Sequence, residues 1–248
     1  MHRFILPPEA LTSDAVTLGA ADAHHAAVVL RMRTGDGCEL LDGRGTVASA
    51  TVSHVARDAV HVRVEARRSC PPPSTPVVLV AALIKGKAWD WTLQKCTEVG
   101  VSCIVPVLAR RSVVRIHPEE AARRREEWTR TMGEAAKQCG TPWLPEILSP
   151  VELASWLRPI DASELGMVAA LDGDRRSILE STAAAGPVQR AWIAIGPEGD
   201  WDADEMALFR AAGYQGVTLG GNVLRAETAS LAAVALAMAG LEHARHGR

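Results

Sequence analysis

The chain predicts an α/β fold with a mostly parallel sheet, preceded by a smaller β-rich domain, and three observations carry that expectation. From residue 77 onward short apolar strands alternate with helical patterns, the order of a parallel sheet covered by helices. The first 70 residues hold short, Val-rich, partly alternating runs. Between the two, residues 69–76 read SCPPPSTP, four prolines in eight residues, a composition that resists helix and sheet and forms a semi-rigid spacer. Domains are therefore expected at 1–70 and 77–248, with 71–76 as the linker.

In the first domain, strands are expected at 38–42, 46–54 and 59–66, with Asp42-Gly43 and Arg44-Gly45 turning the chain between the first two. Around 60–65 the valines fall on one face and His61, Arg63 and Glu65 on the other, which suits a small barrel or sandwich. One short helix is expected near 22–31. In the second domain the alternation runs strand 77–83, helix 89–99, strand 103–108, helix 118–139, strand 167–171, helix 177–184. It continues with strand 191–195, helix 202–212, strand 216–219 and helix 227–243. Pro118 suits a first helical turn, Glu119 and Glu120 complement the helix dipole, and Gly140 ends that helix. Asp202 with Glu205 three residues on resembles a capping box that opens the next helix.

Composition narrows the function. With 48% hydrophobic and 23% charged residues, the 248-residue chain can bury a substantial core. A net charge of −2 gives no global field toward nucleic acid or membrane, so a polyanion must be met by a local patch. Five scattered cysteines without a C-x-x-C argue against a disulfide framework and structural zinc, and suggest reduced thiols in a cytoplasmic protein. The N-terminal MHRFILPPEA lacks the apolar core of a secretion signal. The apolar run 229–241 is shorter than the roughly 20 residues of a membrane span and reads as a buried helix.

Nucleotide fingerprints are missing: there is no G-x-G-x-x-G after a strand and no G-x-x-x-x-G-K-[ST]. G-x-S-x-G, H-E-x-x-H and paired His/Cys ligand spacings are missing too, so no metal is expected. What stands out lies within 191–241. One strand feeds Gly196-Pro197-Glu198-Gly199 and another feeds Gly220-Gly221, with Arg225 and Glu227 close behind. Glycine loops at strand ends let backbone N–H groups approach a ligand. The bland alternative is that these glycines only turn the chain and Arg225 pairs with a surface acid.

Two further groups concern RNA. At helical spacing Trp89, Leu93 and Cys96 form an apolar face; Trp91, Gln94, Lys95 and Glu98 form a polar one around a single indole, fit for base stacking or for solvent. Residues 110–130 hold seven arginines against four glutamates. Arg123–Arg125 suit a wet helix face, whereas Arg110, Arg111 and Arg115 follow a strand end and are better placed for phosphate. The first domain adds Arg31, Arg33, Arg57, Arg63, Arg67 and Arg68.

Taken in order, these residues resemble the bacterial 16S ribosomal RNA uracil-N3 methyltransferases of the SPOUT superfamily. The resemblance rests on His25 with Val29-Leu30-Arg31, Lys85-Gly86, Gln94 through Val101, Arg111-Ser112-Val113-Val114 and Glu134 through Gly140. It continues with Gly196-Pro197-Glu198-Gly199 and Leu219-Gly220 with Val223 through Ala229, and runs nearly end to end. It implies a C-terminal trefoil-knot domain, an N-terminal PUA-like β-barrel, S-adenosyl-L-methionine as cofactor, a homodimer, and one uridine near the 3′ end of the small-subunit RNA as target. A 2′-O-ribose methyltransferase, or a non-catalytic RNA-binding ribosome-assembly factor, is the alternative. Three positions depart from the pattern: Asp200 where Gly is usual, Thr141 where Arg is common, and Arg110 where an acid is frequent.

Carried onto this chain, the resemblance implies a cofactor cradle of Leu171, Ile195, Gly196, Pro197, Glu198, Gly199, Leu219, Gly220, Val223, Leu224, Thr228 and Ala229. Arg225 would donate to a uracil oxygen, and Glu198 or Glu227, or a water held there, would take the N3 proton. RNA contacts are expected from Arg3, Arg31, Lys85, Lys87, Trp91, Lys95, Arg110, Arg111 and Arg115.

Overall fold

Contacts divide the chain into two units: Met1–Pro72 with Gly133–Leu144, and Pro73–Met132 with Pro145–Arg248. The computed structural model describes residues 1–56, 59–171, 173 and 175–246; Arg57, one of the arginines noted above, lies outside them.

The first unit holds β1 (His2–Ile5), β2 (Ala15–Leu18), α1 (Ala20–His24), β3 (Gly37–Leu41), β4 (Thr46–Val55) and β5 (Val60–Ser69). The strands form one sheet in the order β1-β3-β4-β5-β2, parallel between β1 and β3 and antiparallel elsewhere. Register shifts at Ser49/Ala50 and Val52/His54 mark bulges in the long β4–β5 pair, which sharpen the twist of such ribbons. The period-2 pattern is realised: Val60, Val62 and Val64 are buried with Phe4, Leu40 and Val52, while Arg63 and Glu65 face outward. The expected 22–31 helix is shorter and starts earlier. It widens into a π-type turn over His25–Val29 and stops where Arg31 takes φ +54°.

Residues 133–144 belong to this unit through specific bonds. Arg3 pairs with Glu39 at 2.8 Å and donates to the Lys137 and Gln138 carbonyls. Lys137 reaches Asp22 at 3.1 Å, and the Trp143 indole donates to the Pro71 carbonyl at 3.0 Å.

The second unit runs β6 (Val77–Ala82), α2 (Gly86–Glu98), β7 (Cys103–Leu108), α3 (Pro118–Cys139, its last residues in the first unit), β8 (Glu146–Ile147), β9 (Val151–Glu152) and α4 (Leu153–Trp156). It continues with β10 (Glu164–Ala169), β11 (Arg176–Ser177), α5 (Ile178–Ala185), β12 (Arg190–Ile195), α6 (Ala203–Ala211), β13 (Gln215–Thr218) and α7 (Ala226–His246). Every strand pair is parallel, in the order β11-β13-β10-β12-β6-β7-β8 with β9 also on β7. Both faces are covered, so β6 reads as an unbroken apolar run. Val77, Leu79 and Ala81 pack with Trp89, Leu93, Cys96, Met132 and Ala233 from the helices of one face. Val78, Val80 and Ala82 pack with Leu153, Trp201 and Phe209 on the other. The sheet core is what holds the strand ends, and hence their loops, in fixed register.

Candidate functional site

β13, β10 and β12 are neighbours in the sheet, and their carboxyl ends all open into glycine-bearing or polar loops. These loops enclose a cleft of about 660 Å³. Parallel sheets bind ligands at that edge because the loops leaving adjacent strands converge there.

The β10 side contributes Ala169, Ala170, Leu171 and Arg175; the β12 side contributes Ile195, Gly196, Pro197, Glu198 and Asp200. The β13 loop and the start of α7 supply Val217 through Ala226, and Ala229. Ten of the expected cradle residues thus line the cleft: Leu171, Ile195, Gly196, Pro197, Glu198, Leu219, Gly220, Val223, Leu224 and Ala229. Gly199 and Thr228 stand off its wall, as does Glu227, which is half-buried in the first turn of α7. Arg225 and Glu198 both line it and both are exposed.

The loops keep their shape for local reasons. A Cβ at Gly196 would stand 3.1 Å from the Trp201 nitrogen, and Trp201 is buried against Phe209 with ring centroids 5.0 Å apart. Gly220 takes φ +134° and faces open space, so only a glycine sits there without strain and its backbone is accessible. Asp200 adopts φ +60°, accepts the Trp201 N–H at 2.9 Å and donates its own N–H to the Pro197 carbonyl. Its short polar side chain stabilises a left-handed turn where glycine is the usual solution. Arg225 itself opens α7: its carbonyl accepts the Ala229 N–H at 2.8 Å.

The loop after β7 grips the β12 loop. Arg110 pairs with Asp202 at 3.2 Å and Asp204 at 2.5 Å, and its backbone N–H donates to the buried Glu205 carboxylate. Asp202 and Glu205 complete the expected capping box of α6. The Glu205 N–H, followed by the Arg110 cation, holds the Asp202 carboxyl below the usual carboxylate range. Arg111 donates to the Gly199 carbonyl at 2.7 Å, and Arg115 donates to the carbonyls of Ser112 and Val114. Three of the nine expected RNA contacts therefore serve loop structure. Arg3 is bound inside the first unit, and Lys95 is bidentate to Glu98. Trp91 is half-buried, whereas Arg31, Lys85 and Lys87 are exposed and carry no side-chain partner among the described residues.

The wall also includes Ala169, Ala170, Arg175, Asp200, Val217, Thr218, Asn222 and Ala226, which sequence reasoning did not assign to the cradle. Ala169 ends β10 and Ala170 follows it, so a strand-end rule would have found them; Arg175 carried no signal of its own. No group of three metal-ligating side chains occurs among the described residues, nor any helix long and apolar enough to cross a membrane.

Residues 71–238 match the RNA methyltransferase domain family, and residues 18–65 match the RNA methyltransferase PUA domain. The chain belongs to the RNA methyltransferase family. Within it, the chain is 31% identical to the ribosomal RNA small subunit methyltransferase E of Synechocystis, over 97% of this chain and 78% of that one. It is also 31% identical to the protein of the same name from Mycobacterium bovis, over 89% and 84%. The Neisseria gonorrhoeae ribosomal RNA small subunit methyltransferase E, solved bound to S-adenosyl methionine, superposes with a TM-score of 0.82 at 28% identity, covering 95% of each chain.

Proposed function

We propose that this RNA methyltransferase transfers the methyl group of S-adenosylmethionine to N3 of one uridine near the 3′ end of 16S ribosomal RNA, within the small ribosomal subunit. In this reading it works as a cytoplasmic homodimer, and its C-terminal strands are threaded through a trefoil knot. The observation that carries the reading is the cleft at the β10, β12 and β13 ends, with Arg225 and Glu198 facing it from different loops and Arg175 and Asp200 also on its wall.

The residues present fit the cofactor. A volume of about 660 Å³ falls within the roughly 300–1,000 Å³ of small-molecule sites. Ile195, Leu219 and Leu224 offer apolar surface to the adenosyl group, and Gly220 offers accessible backbone. Bound there, S-adenosylmethionine supplies an electrophilic methyl on a sulfonium.

The chain's own side chains prepare the nucleophile. The uracil N3–H is weakly acidic, and its removal spreads negative charge onto O2 and O4. Arg225 donates to one of those oxygens and stabilises the anion, the kind of preorganised electrostatics that dominates many catalysed reactions. Glu198, on the cleft wall, or a water it orients, takes the proton; Glu227 stands off that wall and supports the first turn of α7. Arg31, Lys85 and Lys87, exposed and without a side-chain partner among the described residues, meet phosphates.

The test is methyl transfer from labelled S-adenosylmethionine to purified small subunits and to naked rRNA, followed by nucleoside mass spectrometry. N3-methyluridine is expected, with subunits the better substrate. A 2′-O-methylated nucleoside would replace the base reading by the ribose one. Failure to bind S-adenosylmethionine at high micromolar concentration would make the chain an RNA-binding assembly factor.

A further inference from the structure

Arg175 is a cation on the cleft wall that the mechanism above leaves unused. It follows the β10 loop and directly precedes β11, and its side chain is turned back on that loop. Nη1 donates to the Ala170 carbonyl at 3.0 Å and to the Leu171 carbonyl. Among the described residues Nε and Nη2 have no partner. The guanidinium is thus anchored at one nitrogen, and the edge left open is the one whose Nε–H and Nη2–H run parallel. That edge matches the two oxygens of a carboxylate.

Charge narrows the occupant. The ionic side chains of the described cleft wall are Arg175, Arg225, Glu198 and Asp200. Asp200 spends one oxygen on the Trp201 N–H, and the two carboxylates lie together on the β12 loop. Arg225, at the head of α7, is engaged by the base in the proposed reaction. Among the described residues an anionic group inside the cleft therefore has Arg175 as its counter-ion, across from the β12 loop that carries Glu198 and Asp200. Since Nη1 is held by carbonyls that themselves belong to cleft-wall residues, binding at the open edge also fixes the β10 loop against the ligand.

We infer that Arg175 binds the α-carboxylate of S-adenosylmethionine through its Nε–Nη2 edge and so selects the intact amino-acid cofactor. The inference rests on the proposed cofactor and names the group that recognises one end of it.

Calorimetry on the wild type, Arg175→Ala and Arg175→Lys, each with S-adenosylmethionine and with its decarboxylated analogue, tests it. Arg175→Ala should weaken S-adenosylmethionine roughly tenfold or more, the scale of a charge-assisted hydrogen bond, and leave the decarboxylated analogue within about twofold. The wild type should discriminate between the ligands by a similar factor, and Arg175→Lys should fall between. Equal loss of both ligands in Arg175→Ala would make the residue a loop support and overturn the inference. Unchanged S-adenosylmethionine binding with weakened RNA binding would assign the edge to a phosphate and overturn it as well. A wild type that binds neither ligand would instead sink the cofactor reading itself, so the two failures are distinguishable.

Discussion

Arg225 and Glu198 lie on different loops of one cleft, and the proposed chemistry assigns them opposite tasks. Arg225→Ala should lower kcat by about two to three orders of magnitude, the usual loss of one oxyanion-stabilising donor, while S-adenosylmethionine affinity stays within a few fold. Steady-state rates on small subunits with parallel calorimetry would check both halves, and an active variant would remove the assigned role. Glu198→Gln should depress kcat with little change in cofactor affinity. Glu227→Gln, which changes a residue off the cleft wall, should leave kcat nearly as it was; the reverse ranking would exchange their roles. Gly196 and Glu198 were legible because they follow the end of β12 in a glycine-bearing loop, and Arg225 because it stands immediately before the last helix, behind a glycine pair. Arg175 was not, since it sits in the polar stretch DGDRRS beside the equally charged Arg176, and only its carbonyl contacts single it out.

At the level of elements, alternation and caps carried most of what could be read. The long helix α3 has the expected bounds, Pro118–Cys139, because Pro118, the two first-turn glutamates and Gly140 punctuate it at both ends. Strands of two residues, β8, β9 and β11, left no periodic trace, since they exist only through parallel neighbours already in place. The ion-paired clamp between the β7 and β12 loops was equally invisible: Arg110 and Asp204 are 94 positions apart, and an arginine after a strand reads as a phosphate ligand when its acidic partner is unseen. That clamp has a pH signature. Asp202 is held below the ordinary carboxylate range by the Glu205 N–H and then by Arg110. A depressed folded-state value means stability fully present above the unfolded value of about 3.9 and lost as pH falls through the folded one. The urea midpoint should therefore decline on acidification from about pH 5 to pH 3, and Asp202→Asn, which keeps a capping oxygen but no charge, should decline less steeply. An unchanged acid limb in Asp202→Asn would show that the charge contributes nothing measurable.

For the whole molecule, net charge and local charge pull apart. A chain of net charge −2 gains no long-range attraction to RNA, so affinity must come from the few cations that are both exposed and unpaired. Of the arginine-rich stretch after β7, Arg110 faces two aspartates and Arg115 is committed to backbone carbonyls, whereas Lys85 and Lys87 before and within α2 are free among the described residues. Each phosphate neutralised on a single strand adds about 0.7 to the slope of log affinity against log salt. The double variant Lys85→Ala/Lys87→Ala should therefore bind a target-strand RNA more weakly and lower that slope by roughly 1.4. Arg115→Ala should leave the slope unchanged and instead lower thermal stability, because the carbonyls of Ser112 and Val114 lose their donor. Filter binding across a salt series, with melting curves on the same preparations, separates the two outcomes. A slope that drops for Arg115→Ala and holds for the lysine pair would move the RNA-facing surface from the start of α2 to the loop after β7.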